Sequence, residues 1–400
     1  MKSNYKRLGE FIQPVDERNV QDRRYDLLGV SVEKRFIESI ANTVGTDWHT
    51  YKIIRKGQFC YIPDTSRRGD KIGIALLTDR EIGLVSAVYT VFEVVSEQLI
   101  PEYLMLWFKR SEFDRYARFH SHGSVREIFD WEELCSVELP VPSVEEQRAI
   151  VKAYDTIERR IALKRKINDN LESQAQAAFN AMFISFTNNE YPQIDTPLGQ
   201  LPSNMVVKQV STINPRIESG KRPSGGACSY GYPSLGADCA KGLGCYDSSK
   251  AKYIPFDYAH RMNKGLVRGY ELLAYKDGGK PSEFIPDFTI FGEGYPFDEF
   301  AINEHVFLID FGSPESNWFA YFLFKSRYVY PNLASAGGKS AIPGINQQDL
   351  GSLYVIDPTS ELAVKFGKEF LPFLKTILIN CKELLKLEDV KTGLLAALSR

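Results

Sequence analysis

Two glycine-rich stretches in the second half of the chain have the residue types of nucleotide or cofactor loops. Gly338-Lys339-Ser340 matches the end of a phosphate-binding loop, but that loop needs a glycine five residues before Gly338, and Leu333 stands there. The run Phe291–Gly294 does not have the glycine spacing of a methyltransferase cofactor loop, and the chain contains no Asn-Pro-Pro-aromatic tetrapeptide. A β-turn explains that run better. Neither stretch therefore predicts a nucleotide or cofactor site.

Cysteine and histidine residues also lack the spacing of a metal or hydrolase site. Cys228, Cys239, Cys245 and His260 are irregularly spaced, which favours scattered thiols over a zinc site. The chain has no G-x-S-x-G and no H-E-x-x-H motif. His120 and His122 lie among Ser and Gly, which favours a solvated loop, with contact to a phosphate or base left open. The sequence thus gives no positive evidence for catalysis, and we expect neither a metal nor a cofactor.

Four polar loops combine Arg, Lys or His with Gly and Ser, at 63–71, 120–126, 275–282 and 336–346. Such loops suit DNA, because Gly lets the backbone approach phosphates and Arg or Lys can reach guanine edges. The alternative is that each is a solvated turn. Their recurrence at equivalent places in two halves of the chain leaves these interpretations evenly balanced. The candidate DNA-binding residues are Arg67, Arg68, Lys71, His122, Ser124, Arg126, Lys276, Lys280, Lys339 and Ser340.

Two long helices are predicted at 143–183 and 359–399. The first starts after Pro142 with a capping box of Ser143 and Glu146. It would be roughly 60 Å long at 1.5 Å per residue. Both stretches carry a heptad seam that is typical of a coiled coil and is polar near its centre. The seam residues assigned to the helix pairing or to partner contact are Ile150, Ile157, Ile161, Lys164, Asn168, Leu171, Phe366, Phe373, Ile377, Asn380, Leu384, Leu387 and Leu394.

The second half of the chain repeats the first. The second seam starts 216 residues after the first, and the same offset relates Pro142 to Pro358 and Leu134 to Leu350. Shorter matches continue in order towards the start of each half. The sequence therefore predicts a tandem duplication.

The predicted fold class is α+β, with two tandem mixed domains of mostly short strands and one core helix each. The core helices are predicted at 101–119 and 316–333. The domain boundaries are 1–142 for the first recognition domain, 143–186 for the first spacer helix, 187–358 for a linker and the second domain, and 359–400 for the second spacer helix. The linker is the proline-containing segment 187–204.

Composition sets limits on the partners. A net charge of −2 over 400 residues means that any affinity for DNA must come from local patches or from a basic partner. The six Cys include no C-x-x-C pair, which indicates free thiols in a reducing compartment. We expect a cytoplasmic protein without a signal peptide or membrane span.

The junction before the first helix, LPVPSVEEQRAIV, carries Pro140, Pro142, Ser143, Glu146, Gln147 and Ile150. With the two units and two rods, this signature resembles the specificity subunits of type I restriction-modification systems. The stretch 123–134 also looks like the end of a target recognition domain in that family. The second copy departs from the signature, because Ala363 stands where the first copy has Gln147.

The resemblance implies a non-catalytic DNA specificity subunit in a restriction system that also carries out DNA methylation. Each globular domain would read one half of a bipartite site in double-stranded DNA. The helices would form an antiparallel coiled coil that sets the spacing and docks two methyltransferase subunits, which restriction and motor subunits then join. S-adenosylmethionine, ATP and Mg²⁺ would belong to those partners. The alternative is a coiled-coil scaffold that binds proteins without reading DNA.

The polar seam residues Lys164, Asn168 and Asn380 would fix the antiparallel register at some cost in stability. On that interpretation, Asn380→Leu is expected to raise the melting temperature.

Overall fold

The computed structural model describes residues 4–39, 47–65, 71–123, 127–187, 190–238, 242–280, 283–338 and 343–398, with residues 279–280 described in their backbone alone. The chain divides into two compact units. The first comprises Met1–Arg160 with Glu388–Arg400, and the second comprises Ile161–Leu387. The division falls inside both long helices rather than at their ends.

Two four-stranded sheets form the body of the first unit. One has the strand order β2-β9-β6-β7 and the other β4-β3-β8-β5, with β3 and β8 parallel, while β1 pairs with β10. The strands are β1 (Tyr5–Arg7), β2 (Ile12–Val15), β3 (Leu27–Val30), β4 (Phe36–Glu38), β5 (Lys52–Arg55), β6 (Phe59–Tyr61), β7 (Ile74–Leu76), β8 (Ile82–Val85), β9 (Thr90–Val94) and β10 (Glu138–Pro140). The helices are α1 (Pro101–Phe108), α2 (Ser111–Phe119), α3 (Trp131–Ser136) and α4 (Val144–Phe179), the last of which continues into the second unit.

The second unit repeats this topology. Its sheets have the orders β14-β23-β18-β21 and β16-β15-β22-β17, with β15 and β22 parallel, and β13 pairs with β24. The strands are β11 (Gln193–Thr196), β12 (Gly199–Pro202), β13 (Val207–Gln209), β14 (Arg216–Ser219), β15 (Tyr232–Leu235), β16 (Lys252–Ile254), β17 (Leu266–Val267), β18 (Leu272–Tyr275), β19 (Gly279–Lys280), β20 (Glu283–Phe284), β21 (Phe288–Ile290), β22 (Phe300–Ile302), β23 (Val306–Asp310) and β24 (Tyr354–Ile356). The helices are α5 (Val210–Ile213), α6 (Phe256–Ala259), α7 (Pro314–Lys325), α8 (Tyr330–Gly337), α9 (Gln347–Gly351) and α10 (Glu361–Ala397).

The offset of 216 residues relates matching elements throughout the later part of each unit. Strands β9 and β23 start at residues 90 and 306, and strands β10 and β24 start at residues 138 and 354. The predicted tandem repeat of mixed domains is therefore confirmed, and the repeat extends to strand pairing as well as to sequence.

The prediction of a single core helix at 101–119 is wrong, because the chain leaves helical geometry at Arg110. There φ is −72° and ψ is 141°. The ammonium of Lys34, which is 5% exposed, donates to the Phe108 carbonyl at the end of α1 and lies 2.7 Å from the Asp114 carboxylate on α2. Burial lowers the pKa of Lys34, while the charge of Asp114 opposes that shift. A distant side chain thus satisfies the end of one helix and the start of the next.

The core helix predicted at 316–333 is also two helices, α7 and α8. The backbone is extended at Ser326, where φ is −81° and ψ is 167°. Pro331 lies in the first turn of α8, where its missing N–H is tolerated. A proline at that place favours the start of a new helix over the continuation of the old one.

The segment predicted as a linker, 187–204, contains an antiparallel hairpin of β11 and β12. Gly199 has a φ of +97°, which the tight turn requires and which other residues rarely adopt. Leu201 and Met205 are buried in the core of the second unit. The segment therefore begins the second globular body.

Aromatic side chains join the long helices to the globular body of the second unit. Phe183, in a π-helical turn at the end of α4, lies 4.9 Å from Phe319 on α7 between ring centroids. Phe366 on α10 lies 5.8 Å from Phe179 on α4. Buried aromatic contacts of this kind make the helices part of the folded core.

No helix in the part of the chain that the structure describes is both long and apolar enough to cross a membrane.

Candidate nucleic-acid interface

The two polar loops predicted in the first unit leave from adjacent backbone. Asp64 and His122 each form an antiparallel bridge with Ile128. The N–H of Thr65 donates to the Glu127 carbonyl at 2.9 Å. These three short segments flank residues 66–70 and 124–126, so the structure brings the bases of the two loops together. We call this ribbon the first loop base.

The second unit has the same arrangement. Asp277 forms an antiparallel bridge with Gly344, and the N–H of Ile345 donates to the Lys276 carbonyl at 2.7 Å. The N–H of Gly344 also donates to the Gly337 carbonyl at 2.9 Å. This second loop base flanks residues 281–282 and 339–342. Gly344 follows Ile128 by 216 residues, so both units hold their pair of loops with the same backbone bridge.

A cleft of about 630 Å³ lies beside the first loop base. Ser39, Asp64 and Ile128, which precede or follow undescribed segments, all line it. Val88 is 71% exposed at its edge, and Tyr51 and Tyr89 supply aromatic surface. The cleft can therefore accept a flat, partly apolar group between polar walls. Its full lining is Leu27, Leu28, Ser39, Tyr51, Ile62, Pro63, Asp64, Ser86, Val88, Tyr89 and Ile128.

The second unit carries a basic cleft of about 590 Å³. Its lining is Ser219, Lys221, Tyr258, Arg261, Met262, Asn263 and Lys264. Lys221, Arg261 and Lys264 are exposed, and within the described residues none of them forms an ion pair with a carboxylate. By contrast, the neighbouring Arg222 is 2.9 Å from Glu304. Three uncompensated cations around one cleft make a local positive field in a chain of net charge −2.

Two glycines in close contact bring these cations together. A Cβ on Gly220 would lie 1.6 Å from the Ile302 carbonyl oxygen, and a Cβ on Gly265 would lie 2.9 Å from the Gly220 Cα. Gly265 also has a φ of +73°. Because Lys221 follows the first glycine and Lys264 precedes the second, this close backbone approach places the two lysines on one cleft.

A chain of charged side chains runs from the second loop base to Arg222. His305 Nδ1 lies 2.8 Å from Asp277 Oδ1, and His305 Nε2 lies 3.3 Å from Glu304 Oε1. Glu304 in turn pairs with Arg222, the residue after Lys221. These contacts fix the loop base relative to the basic cleft within the second unit.

Few of the residues predicted to bind DNA have side chains in the described part of the structure. Lys71 pairs with Glu33 at 3.2 Å, and His122, with its side chain 69% exposed, lies 3.3 Å from Glu133. The Lys276 ammonium lies 5.3 Å from the centroid of the Phe307 ring. Lys280 is described by its backbone alone, in β19. Arg67, Arg68, Ser124, Arg126, Lys339 and Ser340 lie outside the described residues.

The sequence analysis missed Lys221, Arg261 and Lys264. Their signal is two short basic stretches next to glycines, GKR at 220–222 and RMNKG at 261–265. The stretches are far apart in sequence, and the contact between Gly220 and Gly265 that unites them is not readable from either alone.

The signature residues at the start of α4 have definite structural roles. Ser143 and Glu146 form the predicted capping box, with the Ser143 N–H donating to the Glu146 carboxylate at 3.0 Å. The fully buried Gln147 side chain accepts from the Ile100 N–H at 2.9 Å and donates to the Gln98 carbonyl at 2.7 Å. The signature thus ties the long helix to the segment before α1. The buried Ala363 occupies the corresponding place in α10.

The structure places each predicted seam residue away from full exposure. Within the second unit, Lys164 lies 2.7 Å from Glu383 while Phe179 contacts Phe366, so α4 and α10 run antiparallel. In the first unit, Glu158 lies 3.0 Å from Lys391. Ile161, Phe366, Ile377 and Asn380 are buried, and the partly buried seam residues are Ile150, Ile157, Lys164, Asn168, Leu171, Phe373, Leu384, Leu387 and Leu394.

The polar centre of the seam is a hydrogen-bonded network. Asn380 is 6% exposed, accepts from the Lys164 ammonium at 2.7 Å and donates to Asn168 Oδ1 at 2.8 Å. Glu383 supplies the countercharge for Lys164. Each buried polar group therefore has a partner, and removing one member leaves others unsatisfied.

We therefore expect Asn380→Leu to lower the free energy of unfolding by about 2 kcal/mol, because Asn168 Oδ1 loses its donor and Lys164 loses an acceptor. This reverses the sign given by the sequence alone, which took Asn380 as a polar residue without partners. Thermal unfolding followed by circular dichroism measures the effect. The control is the triple variant Lys164→Leu, Asn168→Leu and Asn380→Leu, which we expect to be at least as stable as the unaltered chain. A rise with the single substitution would contradict the network.

Comparison with known proteins connects this architecture to one class. Residues 49–173 match the family model for the type I restriction modification DNA specificity domain. The chain is 24% identical over 313 residues to the type I restriction enzyme MjaIX specificity subunit of Methanocaldococcus jannaschii, covering 76% of this chain and 69% of that one. It is 24% identical over 267 residues to the HindI specificity subunit of Haemophilus influenzae, covering 64% of this chain and 56% of that one.

The fold agrees with these matches. The crystal structure of a type I restriction-modification system S subunit from M. genitalium superposes with a TM-score of 0.61 at 13% identity, covering 99% of this chain and 96% of that one. The chain therefore carries the DNA specificity domain of type I restriction-modification systems. Its predicted resemblance to their specificity subunits is confirmed.

Proposed function

We propose that this chain is the non-catalytic DNA specificity subunit of a type I restriction-modification complex, in which each unit reads one half of a bipartite target. The observation that carries the proposal is the duplicated loop base. The bridge of Asp64 with Ile128 in one unit matches that of Asp277 with Gly344 in the other, and each presents two polar loops from adjacent backbone. Paired loops on a rigid base suit insertion into a groove of the duplex.

The basic cleft of the second unit supports this function. Lys221, Arg261 and Lys264 can neutralise phosphates, which positions a domain on the duplex without reading its sequence. The neighbouring loop base would then present the side chains that contact base edges. Positioning and reading thus fall to adjacent parts of one unit, joined through Arg222, Glu304 and His305.

The long helices support a spacing and docking role. With 36 and 37 residues, α4 and α10 are each about 55 Å long, which exceeds one DNA turn of about 34 Å. Leu163 and Ile167 on α4 are 59% and 38% exposed. Because they are four residues apart, they share one face of the helix. We assign this apolar face to docking of a methyltransferase subunit.

The remaining parts of the proposed complex lie on partners. Two methyltransferase subunits and the restriction and motor subunits would supply catalysis, together with S-adenosylmethionine, ATP and Mg²⁺. The role of this chain is to bind and orient DNA, so the proposal requires no catalytic residue in it.

Footprinting tests the proposed function. With the methyltransferase subunit of the same host present, the chain is expected to protect two short DNA segments separated by a fixed spacer. The control is the methyltransferase subunit alone, which should give no sequence-specific protection. A stable protein complex that protects no specific sequence would support the scaffold alternative and contradict DNA readout.

A further inference from the structure

Two thiols from distant parts of the chain meet in the second unit. Cys245 follows the turn Gly242–Gly244, and Cys381 lies on α10. The Sγ atom of Cys381 is 3.9 Å from the Leu243 carbonyl oxygen and 3.5 Å from the ideal Cβ position of Gly244. The side chains of Cys245 and Cys381 are hydrogen-bonded to each other. Both cysteines are free thiols in this structure.

The segment that carries Cys245 is held firmly against its surroundings. The Gly244 N–H donates to Thr289 Oγ1 at 3.0 Å, and that hydroxyl donates to the Gly242 carbonyl at 2.9 Å. The Tyr295 hydroxyl donates to the Gly244 carbonyl at 2.7 Å. Gly244 also has a φ of +64° and packs against Leu378 of α10. The two thiols are therefore kept close together by the fold.

The two thiols differ in exposure and acidity, as an attacking and a resolving cysteine do. Cys245 is exposed, and the hydrogen bond from Cys381 lowers the pKa of its thiol, with burial opposing and Arg165 assisting. Asp169 and Glu172 on α4 also face this thiol and oppose the shift. Cys381 is buried, and its role as donor to Cys245 raises its pKa.

Other cysteines in the described residues lack this combination. Cys60 is fully buried, and burial raises the pKa of its thiol. Burial also raises the pKa of Cys135. Cys228 is exposed, but its thiol donates to the Tyr230 and Tyr253 carbonyls. Since the thiolate is the reactive form, Cys245 is the cysteine best suited to attack an oxidant.

We propose that Cys245 and Cys381 form an oxidation site that reacts with peroxides and closes to a reversible disulfide. The Cys245 thiolate attacks one peroxide oxygen, the O–O bond breaks, and the departing oxygen leaves as water after taking up a proton. The resulting sulfenic acid is then attacked by the Cys381 sulfur, so that the S–S bond forms and the second oxygen leaves as water with the Cys381 proton. Two thiols are oxidised, and one peroxide is reduced to two waters.

The disulfide would link the Gly242–Cys245 segment covalently to α10. Cys381 adjoins the polar centre of the seam, where the Asn168 amide donates to its sulfur at 3.5 Å. Oxidation would therefore fix the globular body of the second unit to the helix pair at that point. This inference does not depend on the proposed DNA function.

The test treats the full-length chain with one equivalent of hydrogen peroxide under native conditions. We expect the loss of two of the six thiols, a peptide pair that joins residues 245 and 381, and full reversal by dithiothreitol. The oxidised chain should melt at least about 5 °C higher than the reduced chain, because the cross-link restricts the unfolded state. Oxidation of Cys228 before Cys245, or no peptide pair from a chain with an unchanged circular dichroism spectrum, would overturn the proposal.

Two variants make the outcome specific. In Cys381→Ser, peroxide should leave a sulfenic acid on Cys245 that dimedone traps, with no disulfide. The matched control Cys228→Ser removes a different exposed thiol and should form the disulfide as the unaltered chain does. Disulfide formation that persists in Cys381→Ser between Cys245 and another cysteine would also overturn the pairing.

Discussion

A variant with Lys221→Ala, Arg261→Ala and Lys264→Ala is expected to bind target DNA at least about 100-fold more weakly than the unaltered chain at 0.1 M salt. Each phosphate contact releases about 0.9 of a counterion, so three lost contacts lower the slope of log affinity against log salt by about 2.7. The measurement is fluorescence anisotropy of labelled target DNA, with the methyltransferase subunit present, at several salt concentrations.

The control removes three positive charges from exposed positions of α10, with Lys365→Ala, Lys368→Ala and Lys375→Ala. Both variants change the net charge of the chain equally, so a general charge effect would weaken binding in both. We expect the salt slope to change in the cleft variant alone. An equal loss in both, or an unchanged slope in the cleft variant, would contradict phosphate contact at the basic cleft.

The second large effect is expected on α4, where Leu163→Asp with Ile167→Asp should weaken assembly with the methyltransferase subunit by more than about 100-fold. Both side chains are exposed in this chain, so the substitutions should leave its melting temperature within about 2 °C of the original. Placing two carboxylates in a buried apolar interface is costly, because they lose water without gaining a partner. Sedimentation velocity of the mixed subunits measures the assembly.

The matched control is Leu163→Met with Ile167→Leu, which keeps the face apolar and should assemble normally. Normal assembly of the aspartate variant would show that the methyltransferase subunit docks elsewhere. The two variants together separate loss of apolar contact from any disturbance of the helix itself.

Local patterns in the sequence predicted the long helices well. The capping box of Ser143 and Glu146 involves residues three apart, and the heptad seam involves steps of three and four residues. Such patterns depend on helix geometry alone. The repeat offset was equally readable, because β10 and β24 keep the same spacing as their sequences.

Features that depend on distant contacts could not be predicted. The core helix predicted at 101–119 is broken where Lys34 reaches the Phe108 carbonyl from 74 residues away. The loop bases unite segments such as Asp64 and Ile128, and the basic cleft needs Gly220 against Gly265. None of these contacts leaves a periodic signal, because each depends on how the sheets are assembled.

The sign of the Asn380 prediction shows the same limit at the level of energy. A polar residue in a seam is costly when it has no partner, whereas Asn380 bonds to both Lys164 and Asn168. The positions were readable from the heptad, but the bonds between side chains on two helices were not.

The central claim is that each unit reads one half of the target while the helices set the spacing. The most direct measurement replaces residues 1–142 with the corresponding region of a relative of different specificity and maps the methylated sites by sequencing host DNA. The account predicts that one half of the site changes, while the other half and the spacer length stay the same. A change in both halves, a change in neither, or an altered spacer would contradict it.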